Sequence, residues 1–316
     1  MNTTRRAGAV FTILALAGTA ACSRTAPSAP LPRPERADGP YHLSEQFKDL
    51  RFVWTAEPDV DLVRGPMVPV RAYIETSTLT LYSSKPSDAY PGFDKAVPQN
   101  GKFGQSPDET QNLRLKSPTG AAAQTQRTRA QGGVAHEVVL SLSPTRDGGW
   151  AAVICGGGYS LSTRLQDGKW AATDGVSDKP VHTDPSQVPP PAGWGGVTRV
   201  EVRQNPQPGP NTQTSDGGGP AQAGPLPAPQ ADVFGNWRIV GVLDNYGAAD
   251  GATGQRWSDG SWEGQDWKRA QGQCMAKAPD PEEVRARWLA GEHDGPYPSP
   301  EPLPAPVPGW PAAKDG

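Results

Sequence analysis

The chain has 316 residues, of which 37 are glycine and 36 are proline, and 35% are hydrophobic. This Gly and Pro content lies just below that of low-complexity chains, so we expect one folded domain with Pro-rich connectors rather than two full domains. The formal net charge of −3 gives no reason to expect nucleic-acid binding.

The first 21 residues have the pattern of a secretory signal peptide. Arg5 and Arg6 precede an apolar run at 9–17, and small residues then lead to Cys22. This arrangement resembles the cleavage box of bacterial lipoproteins, which implies that Cys22 becomes the first mature residue and carries a lipid such as palmitate. The lipid is expected to hold the protein at the extracytoplasmic face of the cell membrane. Ordinary secretion is the alternative.

The rest of the chain divides by composition. Residues 22–40 are Pro-rich and predict a semi-rigid spacer, which at roughly 3.1 Å per residue holds the domain about 50 Å from the lipid. A single domain is expected over residues 41–294. Its stretch at 205–230 is Pro-, Gly- and Gln-rich and too poor in apolar residues to join a core, so it predicts a flexible excursion. Residues 295–316 predict a disordered Pro-rich tail.

Two helices are predicted near the start of the domain. Residues 41–59 carry scattered apolar groups that we expect to dock on the domain. Apolar residues then recur at helical spacing from Val68 or Pro69 to Tyr82, which predicts a helix. Residues 88–97 predict a turn into a short second helix.

A meander of strands is predicted next. Alternating apolar residues separated by turn signals define these strands. Along the strand near residue 200, Val200 and Val202 share one face, and Arg199 and Glu201 share the other, which predicts a half-exposed strand. The predicted strands cover residues 136–143, 150–155, 159–165, 169–173, 198–203 and 233–243.

A last helix is predicted between Asp280, as its N-cap, and Gly291, as its stop signal. Together these elements predict an α+β domain in which the N-terminal helices pack on one face of a mostly antiparallel sheet of five or six strands.

The segments PVRAYIE and AYPGF, followed by strands ending in NWRIVGV, resemble the nuclear transport factor two-like proteins. That resemblance implies a cone-shaped fold around a pocket, which Tyr73, Tyr90, Phe93 and Trp237 would line unless they serve only as core. The segments YIE, AYPGFDKAV, HEVVLSLS, VIC and RWSDGSWEGQDW are also similar to a group of uncharacterised lipoproteins of actinobacteria. This second resemblance implies no particular function.

Cys155 and Cys274 are the cysteines that remain after Cys22. An exported protein folds where disulfides form, so we expect these two to pair. Metal binding is the weaker alternative, because no further ligands accompany them at zinc spacing.

A tryptophan-rich segment at 256–267 is the candidate ligand site. Aromatic rings beside carboxylates can stack on sugars and bind their hydroxyls, which favours contact with cell-wall glycan. Two alternatives remain: the tryptophans fold back on the sheet beside Cys274, or the carboxylates bind calcium. The candidate contacts are Trp257, Asp259, Trp262, Glu263, Asp266 and Trp267.

The other motifs do not predict catalysis. The four histidines form no metal-binding spacing, the segment GYSLS at 158–162 misses the nucleophile-elbow pattern, and the glycines after Cys155 predict a bulged turn rather than a phosphate loop. We therefore expect no cofactor and no catalytic residue.

The predicted function is that of a non-catalytic envelope lipoprotein whose domain binds or scaffolds a protein partner. The alternative is a carbohydrate-binding lipoprotein that uses the tryptophan-rich segment, and an enzyme with a pocket in the cone fold ranks third. The histidines are His42, His136, His182 and His293.

Overall fold

The computed structural model shows a mixed α+β fold in which more residues lie in strands than in helices. Seven strands form one sheet, and β1 with β2 is the one parallel pair among the described strands. The structure describes residues 40–99, 113–114, 128–173, 179–205, 220–244, 264–296 and 302–312.

The elements follow the chain in a simple order. The strands are β1 (Asp49–Ala56), β2 (Gln131–Pro144), β3 (Trp150–Gly157), β4 (Leu161–Arg164), β5 (Trp170–Ala171), β6 (Trp194–Gln204) and β7 (Trp237–Asp244). The described helices are α1 (Met67–Ser83), α2 (Phe93–Ala96), α3 (Gly264–Ala276) and α4 (Glu282–Leu289). The strand order is β5-β4-β2-β3-β6-β7, and β1 pairs with β2.

The sheet has one strand more than the largest number predicted, because residues 41–59 contain β1. Leu50, Phe52 and Trp54 are buried on one face of this strand while the residues between them are more exposed. This two-residue period is the normal signal of a half-buried strand. The local sequence does not indicate the partner of this strand, because β1 pairs with β2 across more than 70 intervening residues, with Asp49 opposite Gly132.

The helix predictions have mixed outcomes. The first helix is confirmed as α1, and α2 lies inside the predicted segment 88–97. The last helix is confirmed as α4, but Asp280 does not cap it: its carboxylate instead accepts a 2.6 Å hydrogen bond from the hydroxyl of Tyr159. Helix α3 was not predicted.

The core consists of two clusters that use alternate residues of the same strands. Ala152 and Ile154 of β3 belong to the first cluster, together with side chains of α1 and α2. Val153 and Cys155, the alternating residues of β3, belong to the second cluster, together with side chains of α3. Because successive side chains of a strand point to opposite faces, the two clusters lie on opposite faces of the sheet.

Part of the predicted tail and part of the predicted excursion are ordered parts of this core. Residues 302–312 pack on the domain, and Trp310 is only 1% exposed. Ala228, within the predicted excursion, is buried in the same cluster. The two segments are joined by backbone hydrogen bonds between Leu226 and Trp310 in both directions, at 3.1 and 2.8 Å. The predictions of disorder are therefore wrong for the described residues 220–230 and 302–312; residues 206–219 lie outside the described part.

Glu75 of α1 accounts for the position of Trp310. It is 1% exposed and accepts hydrogen bonds from the Nε1 of Trp54 at 2.9 Å, the hydroxyl of Tyr90 at 2.9 Å and the Nε1 of Trp310 at 2.7 Å. Burial raises the pKa of Glu75, while nearby Arg71 and the three donors oppose that rise. A buried carboxylate needs such partners, so one acidic residue draws three aromatic side chains together.

Arg71, one turn earlier on α1, fixes the backbone around the same point. Its guanidinium donates to the carbonyls of Leu62 and Gln222 at 3.1 Å each and to that of Pro308 at 2.6 Å. It also lies 4.3 Å from the ring centroid of Trp310, within the range of a cation–π contact. Three distant segments thus meet at one buried cation.

In the described part of the chain, none of the helices has the length and apolar character needed to cross a membrane. The predicted signal peptide, Cys22 and the spacer lie outside the described residues.

Candidate functional site

A charged cleft lies over β2, β3 and β6 beside α3. Its volume is about 340 Å³, which falls in the usual size range of ligand sites. Five charged side chains from β6, α3 and one turn line it, together with hydroxyl groups. The lining residues are Ser141, Ser143, Pro144, Thr145, Arg146, Ala151, Val153, Arg199, Glu201, Asp266 and Arg269.

The base of the cleft is an ion pair between Arg199 and Glu201 on β6. The two residues lie on the same face of the strand, as predicted, with Val200 and Val202 in the core on the other face. They are not half-exposed, however: Arg199 is 7% and Glu201 6% exposed. Helix α3, which packs more closely on β6 than on any other strand, lies on the face of the sheet that these two residues occupy.

Helix α3 is held in place by one stripe of its surface. Trp267, Ala270 and Cys274 recur at helical spacing and are all buried in the second cluster. Cys274 is disulfide-bonded to Cys155 of β3, with 5.4 Å between their Cα atoms. The predicted disulfide is thus present in the structure, and it fixes the helix to the sheet beside the cleft.

The same attachment brings two charged residues of α3 to the cleft. Asp266 and Arg269 form an ion pair across one helical turn and line the cleft wall. Asp266 lies in the first turn, where a negative charge interacts favourably with the helix dipole.

The turn between β2 and β3 supplies the remaining charge. The backbone of Thr145 and Gly149 is joined by a 2.9 Å hydrogen bond, and the Thr145 hydroxyl accepts another from the Gly149 amide at 2.9 Å. Asp147 forms an ion pair with Arg203 of β6. These contacts fix the turn, so the exposed Arg146 is held at the rim.

The cleft therefore combines three arginines, two carboxylates and several hydroxyls. Arginine presents several N–H donors in a fixed plane and binds carboxylates through paired hydrogen bonds. Of these charged residues, only Asp266 was a predicted contact. For Arg199 and Glu201, the available signal in the sequence was their opposite charge, two residues apart on one strand face.

Most of the predicted glycan contacts lie elsewhere. Trp257, Asp259, Trp262 and Glu263 lie outside the described residues. Trp267 is fully buried in the second cluster, so its ring has no free face for a sugar, and its assignment as a ligand contact is wrong. The alternative in which the tryptophans pack beside Cys274 accounts for this one residue.

The aromatic residues of the predicted cone pocket fill the first cluster. Tyr73, Tyr90 and Phe93 are buried there, and Trp237 packs against them. The Tyr73 hydroxyl donates a 2.7 Å hydrogen bond to the carbonyl of Leu113, and burial raises the pKa of that hydroxyl. These residues act as core, which was the alternative interpretation.

The motifs examined for catalysis have structural roles. The ring of His136 stacks on Tyr159 with centroids 5.7 Å apart, and burial lowers its pKa. Ser160 of the GYSLS segment is buried and donates a hydrogen bond to the carbonyl of Val134. After Cys155 the register between β3 and β6 shifts at Gly157, as the predicted bulge requires. Among the described residues, no group of three or more His, Cys, Asp or Glu side chains could hold a metal ion.

A second, smaller cavity of about 150 Å³ lies near β4. Its wall contains a chain of side-chain hydrogen bonds in which Thr173 donates to Thr163 at 3.3 Å and Thr163 to Gln131 at 3.0 Å. Its small size makes it the weaker candidate, as does the absence of Asp, Glu, Lys and Arg among the described residues that line it.

Comparison with known proteins found no matching family model, no matching curated protein and no matching solved structure.

Proposed function

We propose that this chain is a non-catalytic envelope lipoprotein, anchored through a lipid on Cys22, whose extracytoplasmic domain binds a protein partner at the charged cleft. The observation that carries the proposal is the buried Arg199–Glu201 pair at the base of a cleft with further charges around it.

A buried ion pair is a weak source of stability, because removing two charges from water costs about as much as their attraction returns. Its position at the base of a cleft is therefore better explained by binding than by folding. Arg199 and Glu201 present charges of both signs toward one opening, beside serine and threonine hydroxyls.

A partner with polar and charged side chains fits this opening better than a sugar ring. Arginine is enriched in protein interfaces, and a central polar contact can set their specificity. Sugar sites normally present an aromatic ring for stacking, and the described residues that line the cleft include none. In this proposal the N-terminal helices α1 and α2 pack on the opposite face of the sheet and leave the cleft accessible.

Charge reversal at the rim tests the partner. Arg146→Glu with Arg269→Glu changes two exposed residues and leaves the buried pair intact. Arg287→Glu, on an exposed position of α4 outside the cleft, is the matched control. The readout is cross-linking in intact cells, purification under denaturing conditions and identification of the attached peptides.

We expect the wild-type chain and the Arg287 variant to recover the same protein partner, and the double variant to recover about tenfold less of it. A tenfold decrease corresponds to a loss of roughly 1.4 kcal/mol in binding free energy. Equal recovery with both variants, or recovery of glycan alone, would contradict the proposal.

The anchor has a separate test. Cys22→Ala removes the acylated thiol and should move the protein from the membrane fraction to the soluble fraction, whereas Ser23→Ala should not. Unchanged fractionation of the Cys22 variant would contradict the lipoprotein assignment without bearing on the cleft.

A further inference from the structure

The charged cleft carries more arginine than its own carboxylates can neutralise. Glu201 is paired with Arg199, and Asp266 is paired with Arg269. Arg146, the fifth charged residue of the lining, is exposed and forms no hydrogen bond or ion pair with any described residue. The lining is therefore left with one positive charge that has no counterion in the described part of the chain.

The excess of positive charge continues along β6 past the end of the cleft. Arg203 lies two residues after Glu201 on the same face of the strand, about 7 Å further along it. Arg238 of β7 is the register partner of Arg203, so the two arginine side chains start side by side on that face. Arg238 is exposed, and it too forms no hydrogen bond or ion pair with a described residue. We call Arg146, Arg203 and Arg238 the basic rim.

The basic rim has too little negative charge of its own. Like charges directly opposite each other on neighbouring strands destabilise a sheet. Asp147, in the turn between β2 and β3, pairs with Arg203 and offsets part of this repulsion. The cleft and the basic rim with Asp147 together hold five arginines and three carboxylates, a surplus of two positive charges on a chain whose formal net charge is −3. This site is positive although the chain as a whole is negative.

The shape of the cleft favours a protruding side chain over a flat surface. Small apolar residues of β3 form its floor, between serine hydroxyls of β2 and charged residues of β6. The register aligns these residues in two rows: Ser141, Val153 and Arg199, then Ser143, Ala151 and Glu201. A flat membrane surface cannot enter an opening of about 340 Å³ whose charges lie at the base, whereas a peptide segment can insert its side chains.

We infer that the partner enters the cleft with an acidic segment, whose Asp or Glu carboxylates are bound by Arg146 and Arg238. This inference rests on the proposed function, since it names the chemistry of the same partner. Arginine binds a carboxylate through paired, charge-assisted hydrogen bonds, and complementary charge across an interface raises the association rate and excludes wrong partners. A doubly charged phosphate group fits less well, because Glu201 and Asp266 repel it more strongly than they repel a single carboxylate.

Carbodiimide coupling tests for a partner carboxylate at these two positions. The reagent joins an amine directly to a carboxylate, without a spacer, so it reports groups that form an ion pair. Arg146→Lys and Arg238→Lys supply an amine and keep the charge, and Arg287→Lys, on an exposed position of α4 outside the cleft, is the matched control. Intact cells that express each full-length chain are treated with the carbodiimide, and a parallel sample is treated with an amine-reactive cross-linker that has a spacer. The cross-linked peptides are identified by mass spectrometry.

We expect the spacer reagent to link the same protein partner to all three chains. The carbodiimide should link Asp or Glu of that partner to the amines introduced at positions 146 and 238 about tenfold more often than to the amine at position 287, because groups held in contact react faster than groups that meet by diffusion.

A partner recovered with the spacer reagent, but without this preference in the carbodiimide sample, would overturn the inference and leave the proposed function standing. Coupling of the amines at positions 146 and 238 to a lipid phosphate instead of a peptide would also overturn it. Failure of both reagents to recover a protein would contradict the proposed function itself, and the inference with it.

Discussion

Replacing Trp310 is the most direct perturbation of the core described above. Truncating a fully buried tryptophan to alanine typically costs about 3–5 kcal/mol, since it removes apolar contacts and leaves a cavity. Trp310→Phe keeps most of the ring but removes the donor to Glu75, and losing a hydrogen bond to a charged group costs roughly 1.5–3 kcal/mol. Both are large against the total stability of a domain, about 5–15 kcal/mol.

The assay is urea unfolding followed by far-UV circular dichroism on full-length variants. Val307→Ala is the control within the same segment, because this side chain is 48% exposed and its contacts with β1 are made by the backbone. We expect a change within about 0.5 kcal/mol for the control and the order Ala, then Phe, then wild type in increasing stability. A Trp310→Ala variant with the unfolding midpoint of wild type would refute the docking of residues 302–312 and the hydrogen-bond network around Glu75.

Three further changes have defined expectations. Replacing both Cys155 and Cys274 with serine opens a loop of sequence separation 119 and should lower the free energy of unfolding by about 4–5 kcal/mol in the chain-entropy model; an unchanged melting temperature would argue against the bond. Burial raises the pKa of Glu137 well above its usual value, so its contribution to stability is present below pH 4.5 and lost as pH rises through the folded pKa. Glu137→Gln should therefore gain stability relative to wild type as the pH rises from 4.5 through the folded pKa of Glu137, and parallel curves in urea titrations across this pH range would disprove this. Gly309→Ala should destabilise by about 1–3 kcal/mol because its Cβ meets backbone 2.3 Å away, whereas Gly272→Ala, with open space on an exposed turn of α3, should stabilise by about 0.5–1 kcal/mol; calorimetry showing the same sign for both would contradict these assignments.

The predictable part of the fold is the part with local signals. The two-residue alternation of Val138 and Leu140 on β2 and the turn that follows this strand identified β2 and β3 as a hairpin, and the pairing is observed. A bulge between Val139 and Ser141 places Leu142, predicted on the same face, in the first cluster instead. Helix α1 was identified from its spacing although most of it is buried. Helix α3 was missed because its buried stripe of Trp267, Ala270 and Cys274 lies among mostly polar residues with an internal glycine.

The docked segment 302–312 was not predictable from composition. Its prolines indicate an extended chain without a core, and one residue, Trp310, reverses that expectation. The partners that make the tryptophan buried, Glu75 and Arg71, lie at the other end of the domain sequence. No window of neighbouring residues contains this information.

The candidate site was predictable in part. The alternation on β6 placed Arg199 and Glu201 on one face, and the expected disulfide placed Cys274 near β3. Their burial depends on where α3 lies, which the disulfide alone does not determine. Arg146 and Arg269 join them only through tertiary packing, so no spacing in the sequence brings the five charges together.

The convergence at Arg71 has a consequence for a chain synthesised from its N-terminus. The residues of helix α1 are made early, yet the carbonyl acceptors of Arg71 include Gln222 and Pro308, and Glu75 receives its third donor only from Trp310. Until those residues emerge, the growing chain holds a cation and a carboxylate with incomplete partners, so the first cluster cannot reach its final packing. The first cluster can therefore reach its native packing only after the last part of the domain has been synthesised.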